Sequence, residues 1–125
     1  MAIYKVKPWA TGSNNGRTWE DAFTSLQSAL ASANSGDEIW VAQGVYKPGT
    51  NRTDSFEIPD GVTVYGGFFG DETSLEQRDI EKYITYLSGD IGKERENKDN
   101  NYTVVKLNSG STATLDGFTI QDGNS

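Results

Sequence analysis

The sequence predicts a mainly β fold, a right-handed parallel β-helix wound as a single-stranded solenoid, with an N-terminal amphipathic capping α-helix. Three observations predict it. Short apolar strands recur, each running to a glycine, and Gly44, Gly67, Gly89 and Gly110 follow one another at nearly equal intervals. A near-constant period of that size, in the low twenties and with no recurring helix, marks a β-solenoid. A single segment ahead of these strands has helical periodicity. The composition, 34% hydrophobic with 14 glycines, suits many short strands joined by turns better than a helical bundle.

In chain order, residues 3–6 (IYKV) alternate apolar and polar and read as a short strand that Pro8 ends. Residues 10–17 are a loop rich in Gly, Ser and Asn. The helix is expected over residues 19–33. Its apolar positions Trp19, Ala22, Phe23, Leu26, Ala29, Leu30 and Ala33 form one stripe at 3.6-residue spacing. Thr18 is the expected N-cap, with its hydroxyl accepting the N–H of Asp21, and Gly36 supplies a left-handed residue to end the helix. Such a stripe must be buried, so Trp19, Phe23, Leu26 and Leu30 are read as the structural cap over the first coil.

The strands that follow are IWVA to Gly44, VTVY to Gly67, TYL to Gly89 and VVKL to Gly110. FTI then runs to Gly123, which comes too soon after Gly110, so the regular count breaks there. Alternation assigns Ile39, Val41, Val62, Val64, Leu87, Val105, Leu107, Phe118 and Ile120 to the inside. In the third strand the pair Ile84/Tyr86 competes with Thr85/Leu87, and a slip of one residue turns every side chain over. Residues 1–36 are thus expected to form the strand and cap, and residues 37–125 the first coils. The Phe118–Ile120 coil has nothing to cover it, and self-association through that uncapped coil is expected because open strand edges recruit other strands.

The bulk chemistry excludes several functions. The net charge of −7 repels phosphate backbones, so nucleic acid is not an expected partner. Without Cys or His, the chain has no disulfide, thiolate site, imidazole base or usual zinc ligand. No apolar run approaches the ~20 residues of a membrane span. The start lacks the charged and apolar regions of a signal peptide. It is compatible with an expression scar at Met1-Ala2, and the stop inside a repeating pattern suggests a fragment of something longer.

The residues GRTWEDAFTSLQSALASANSGDEIWVAQGVYKP (16–48), GVTVYGGFFGDETSLEQRD (61–79), LSGDI (87–91) and LDGFTIQDGN (115–124) resemble the N-terminal region of bacterial secreted parallel β-helix repeat proteins. These belong to the pectin-lyase-like superfamily and include relatives of polymorphic outer-membrane proteins. The resemblance implies export, an extracellular or cell-surface setting and a longer parent protein. It implies no activity. Many members are surface or adhesive proteins, and others are polysaccharide lyases or hydrolases whose catalytic groups lie on later coils. No residue here matches their catalytic motifs, so no enzyme activity is expected of this chain.

The remaining candidates are acidic and aromatic. Asp90, Glu94, Glu96 and Asp99 sit in a polar insertion and supply oxygens of the kind calcium takes. Interleaved Lys93, Arg95 and Lys98 favour a solvated loop, and no other cofactor is expected. Asp71 and Glu72, with Arg78 and Asp79 following, suggest an Arg–carboxylate pair that fixes the loop against its coil. Trp40 and Tyr65 alternate with inward residues and should point outward on neighbouring coils. There they either stack sugar rings or pack under the loops of residues 49–56 and 70–79.

The expected function is therefore a non-catalytic cap with the first coils of a surface β-helix, structural or binding glycan or protein. The alternatives are the N-terminal part of a polysaccharide lyase or glycoside hydrolase, and an engineered fragment for capping or assembly.

Overall fold

The computed structural model describes residues 2–47, 56–88, 105–107 and 113–121. The chain is mainly β, and every strand pair among the described residues is parallel. The strands are β1 (Ile3–Val6), β2 (Glu38–Ala42), β3 (Gly44–Tyr46), β4 (Phe56–Ile58), β5 (Thr63–Phe68), β6 (Thr85–Ser88), β7 (Val105–Leu107), β8 (Thr114–Asp116) and β9 (Phe118–Gln121). One α-helix, α1 (Leu26–Ser32), lies between β1 and β2.

Among the described residues the strands form three separate sheets, ordered β1-β2-β5-β8, β3-β6-β9 and β4-β7. From β2 onward the chain visits the first, second and third sheets in turn, repeats that order through β5, β6 and β7, and begins it again with β8 and β9. Register partners carry like residues. Ile39 pairs with Val64 and Val64 with Leu115, while Tyr46 pairs with Leu87 and Leu87 with Ile120.

This arrangement corrects the sequence repeat. The near-constant glycine interval is not the stacking period. On the first sheet Glu38 stacks on Thr63, but Thr63 stacks on Thr114, a separation along the chain about twice as long. Of the five strands expected to stack in succession, those at Ile39 and Val64 share the first sheet. Those at Leu87 and Ile120 lie in the second and that at Leu107 in the third. The error has a simple cause. A short apolar strand running to a glycine reads the same on any sheet, and the chain turns more than one corner per pass.

The core lies between the sheets. Ile39, Val41, Val62, Val64 and Leu87 are fully buried, joined by Tyr46, Phe56 and Ile58, and Phe118 packs against them. Thr85 and Leu87 face inward while Ile84 is exposed, which settles the register of β6. The side chains of Val105, Leu107 and Ile120 lie outside the described residues.

The helix is shorter than its stripe. Residues 19–25 are not helical, because their backbone is committed to β1 and its neighbouring loop. Phe23 donates its N–H to the Lys5 carbonyl at 2.9 Å and accepts the Lys7 N–H at 2.8 Å. The Asp21 carbonyl accepts the N–H groups of Asn15 and Gly16. Thr18 Oγ1 does accept the Asp21 N–H at 3.0 Å, but it closes a turn and not a helix. α1 ends at an extended Ala33, and Gly36 at φ +92° serves the turn before β2.

Leu26 and Leu30 of α1 are buried in the core, with Phe23 packed beside them. Trp19, expected in the same cap, lies instead in a second cluster with Trp40, Ala42 and Phe68.

One end of the stack is closed. The edge of β1 away from β2 is covered by the Phe23 bonds and by Lys5 N–H donating to the Gly16 carbonyl. Asp37 ties this end together: its carboxylate, 7% exposed, accepts the N–H groups of Ala2 and Asn34, both at 2.8 Å. At the other end no strand pairs with the far edges of β7, β8 or β9 among the described residues.

The packing can be tested at β6. Leu87→Ala opens a cavity in the core and should cost about 2–5 kcal/mol in chemical denaturation. Ile84→Ala, at an exposed position just ahead of the same strand, should stay within about 0.5 kcal/mol. Asp37 gives a pH signature. The Asn34 and Ala2 N–H groups hold its carboxyl below the ordinary aspartate value. Its contribution is therefore fully present above the unfolded value of about 3.9 and lost as pH falls through the lowered folded value. Acid denaturation of Asp37→Asn should show a shallower pH dependence in that window than the parent chain.

Candidate binding face

The first sheet has two sides. Ile39, Val41 and Val64 point to the core, so Trp40 and Tyr65, which are register partners, point away from it. An irregularity in the β2–β5 ladder then changes the spacing: Trp40 pairs with Tyr65, but Ala42 pairs with Phe68, so β5 holds one extra residue. Phe68 thereby joins Trp40 on the outer side. Their rings stack with centroids 5.0 Å apart and planes at 11°, and Trp19 tilts onto Phe68 at 5.4 Å.

This outer layer is not open to solvent. Trp40 is 5% exposed. Its Nε1 donates to Glu38 Oε1 at 3.0 Å, and the Lys5 ammonium lies 5.3 Å from its ring. Burial lowers the Lys5 pKa. Tyr65 is half-buried under the Arg78 guanidinium, 4.9 Å from the ring. Of the two roles open to Trp40 and Tyr65, sugar stacking or packing under a loop, this geometry favours packing, with Phe68 against the Trp40 ring and Arg78 over Tyr65.

The covering segment follows β5, and one carboxylate shapes it. Glu72, 6% exposed, accepts three backbone N–H groups: Phe69 on Oε2 at 2.7 Å, and Gly70 and Asp71 on Oε1 at 3.0 and 3.1 Å. Its own carbonyl accepts the Trp19 indole N–H at 2.7 Å, which anchors the loop to the aromatic layer. A 3-10 turn at Leu75–Gln77 follows, closed by a capping box between Ser74 and Gln77. Arg78 then bonds the Gly66 carbonyl at 3.3 Å and pairs with Asp116 Oδ2 at 3.2 Å on β8. The expected Arg–carboxylate pair therefore exists, but its acid comes from the next pass and not from Asp71, Glu72 or Asp79. Asp79 accepts the N–H groups of Glu81 and Lys82 within its own turn.

Beside this loop lies a cleft of about 370 Å³ lined by Phe69, Asp71, Glu72, Gln77 and Tyr83. Phe69 is 47% exposed, and its ring meets Tyr83 at 5.3 Å with planes tilted by 52°. Trp9, 50% exposed, stands at the same loop. A Cβ built on Gly70, whose φ is +124°, would meet Lys7 Cδ at 2.8 Å and Trp9 Cζ2 at 3.4 Å. The cleft thus combines apolar ring faces with two carboxylates and a carboxamide.

Periodicity and spacing assign Trp9, Phe69 and Tyr83 no role. The usable signal is the doublet Phe68-Phe69, since adjacent residues leaving a strand cannot both face the same layer. Asp90, Glu94, Glu96 and Asp99 lie outside the described residues. Among the described residues no group of three or more acidic side chains is placed to hold a metal ion.

Glu72→Gln replaces one acceptor oxygen by a donor facing backbone N–H groups. The change should cost about 1–3 kcal/mol in thermal denaturation. It should also red-shift the Trp19 emission as the loop lifts.

No curated protein and no solved structure is significantly similar to the chain. A family model does match, over residues 10–125. With that match covering nearly all of its length, the chain belongs to DUF1565, a family described as proteins of unknown function and associated with pectin-lyase-like β-helix proteins.

Proposed function

We propose that the chain is the capped N-terminal end of a right-handed parallel β-helix from a secreted or cell-surface protein. In this reading it is a non-catalytic scaffold whose flank binds glycan or protein. The observation that carries the reading is the asymmetry of the stack. Strands pass through three parallel sheets in a fixed order, one end is covered by α1 and the Phe23 bridge, and the other presents strand edges among the described residues. Such an object starts a solenoid and directs growth one way.

The carboxylates support a scaffold role over acid–base chemistry. Glu72 is committed to three loop N–H groups, Asp37 to two, and Asp116 to Arg78. The family's association with β-helix proteins favours the winding, and the resemblance to exported surface proteins favours the setting.

In the same proposal the edges of β7, β8 and β9, which meet no further strand among the described residues, pair with a second copy of the chain, since a parallel edge donates and accepts backbone hydrogen bonds without regard to sequence. Sedimentation velocity over a wide concentration range should show mass rising with concentration. A strictly monomeric boundary throughout would remove self-stacking from the proposal.

A further inference from the structure

We infer that the cleft beside the Glu72 loop binds a neutral sugar ring. The inference rests on the flank being a binding surface and adds the site and the ligand class.

Three rings border one loop. Phe69 and Trp9 are about half exposed although both are large and apolar, and the Tyr83 ring tilts against Phe69. By contrast, Phe56, Phe68, Trp19 and Trp40 are all covered. Phe69 and Tyr83 line the cleft, with Trp9 beside the loop at Gly70, and covering such rings releases water from apolar surface. Pyranose rings present C–H faces to such rings and hydroxyls at their rims.

The polar lining fits those rims. Glu72 has two oxygens with about four lone-pair sites, and three accept backbone N–H groups. The remaining capacity belongs to an acceptor already fixed in place, which costs little to organise on binding. Asp71 adds a second, exposed carboxylate, and the Gln77 carboxamide carries two donors. Its Oε1 is occupied by Thr73 and Ser74.

Charge decides between classes of sugar. Asp71 and Glu72 repel a uronate or sulfated chain, in a molecule whose net charge is already −7. The Lys82 ammonium, 5.4 Å from the centre of the Tyr83 ring, puts a positive charge beside the cleft that disfavours a cationic sugar. Neutral hexose units remain.

The test is native gel electrophoresis of the full chain through gels containing neutral polysaccharides (β-glucan, mannan, galactan) or polygalacturonate. At least one neutral polymer should retard the chain, and polygalacturonate should not. Phe69→Ala and Tyr83→Ala should each weaken retardation about tenfold, the equivalent of about 1.4 kcal/mol. Val45→Ala, at an exposed apolar position outside the cleft lining, should change it little. Thermal melts of the variants check folding, and quenching of Trp9 emission by soluble oligosaccharides, absent in Trp9→Phe, gives a second readout on the parent chain. Retardation by none of the neutral polymers, equal retardation of the ring variants, or preference for polygalacturonate would each overturn the inference. Because self-stacking is measured separately by sedimentation, loss of sugar binding with stacking intact overturns the ligand and leaves the scaffold.

Discussion

The parallel hydrogen-bond ladder between successive passes is the constraint on which everything else depends. A strand such as β5 satisfies its backbone only by lying about 4.8 Å from β2 on one side and β8 on the other. An end strand has no such second neighbour, and buried backbone groups without partners are costly. The N-terminal end meets this requirement with irregular chain. Gly16 and Phe23 supply the partners for β1, and α1 lays Leu26, Ala29 and Leu30 over the core. Of the apolar stripe of residues 19–33, Phe23 lies at this end through backbone pairing and Leu26, Ala29 and Leu30 as helix, while Trp19 joins the outer cluster.

The same ladder creates the outer face. Alternation in β2 and β5 puts one row of side chains in the core and the next row outside. The outer row here is aromatic and too large to leave wet. Trp40, Phe68 and Trp19 therefore need a cover, and the segment after β5 provides it. Trp19 holds the Glu72 carbonyl, Glu72 holds the Phe69–Asp71 backbone, and Arg78 closes the segment onto β8. Phe69 and Tyr83 are displayed at the edge of that cover. The cleft is thus a consequence of burying the layer beneath it, and a change at Trp19 or Glu72 acts on the cleft through the loop.

Much of the fold is legible in the sequence because its main signal is local. Ile39 and Val41, or Val62 and Val64, reveal their inward face by alternation alone, whereas Thr85 and Leu87 compete with Ile84 and Tyr86, and the parallel, mainly β architecture follows from many short strands. Which strand stacks on which is not local. Leu87 and Val64 look alike in sequence, yet they lie on different sheets because partner choice depends on where the corners fall. The helix boundary is lost for a related reason: nothing in residues 19–25 announces that Lys5 and Lys7 compete for their hydrogen bonds. The candidate site is half legible. Parity places Trp40 and Tyr65 on the outer side, but whether an outward aromatic meets water or a loop depends on a segment folding back from residues 69–79. The partner of Arg78 is Asp116, on a strand of the next pass and beyond any spacing rule.

Unequal passes explain how such a scaffold acquires sites without losing its stack. Register is fixed by the strands, so chain between them can lengthen at small cost. Closing a loop costs only about 0.6 kcal/mol more for each doubling of its length. The step from the Glu38–Thr63 separation to the Thr63–Thr114 separation on the first sheet amounts to one such doubling. A single buried aliphatic side chain contributes about 1.5–3 kcal/mol, so one core position such as Val64 or Leu87 outweighs the whole insertion. The stack therefore tolerates elaboration at its corners while holding its inward columns fixed. The Glu72 loop is one such elaboration, and it carries the cleft.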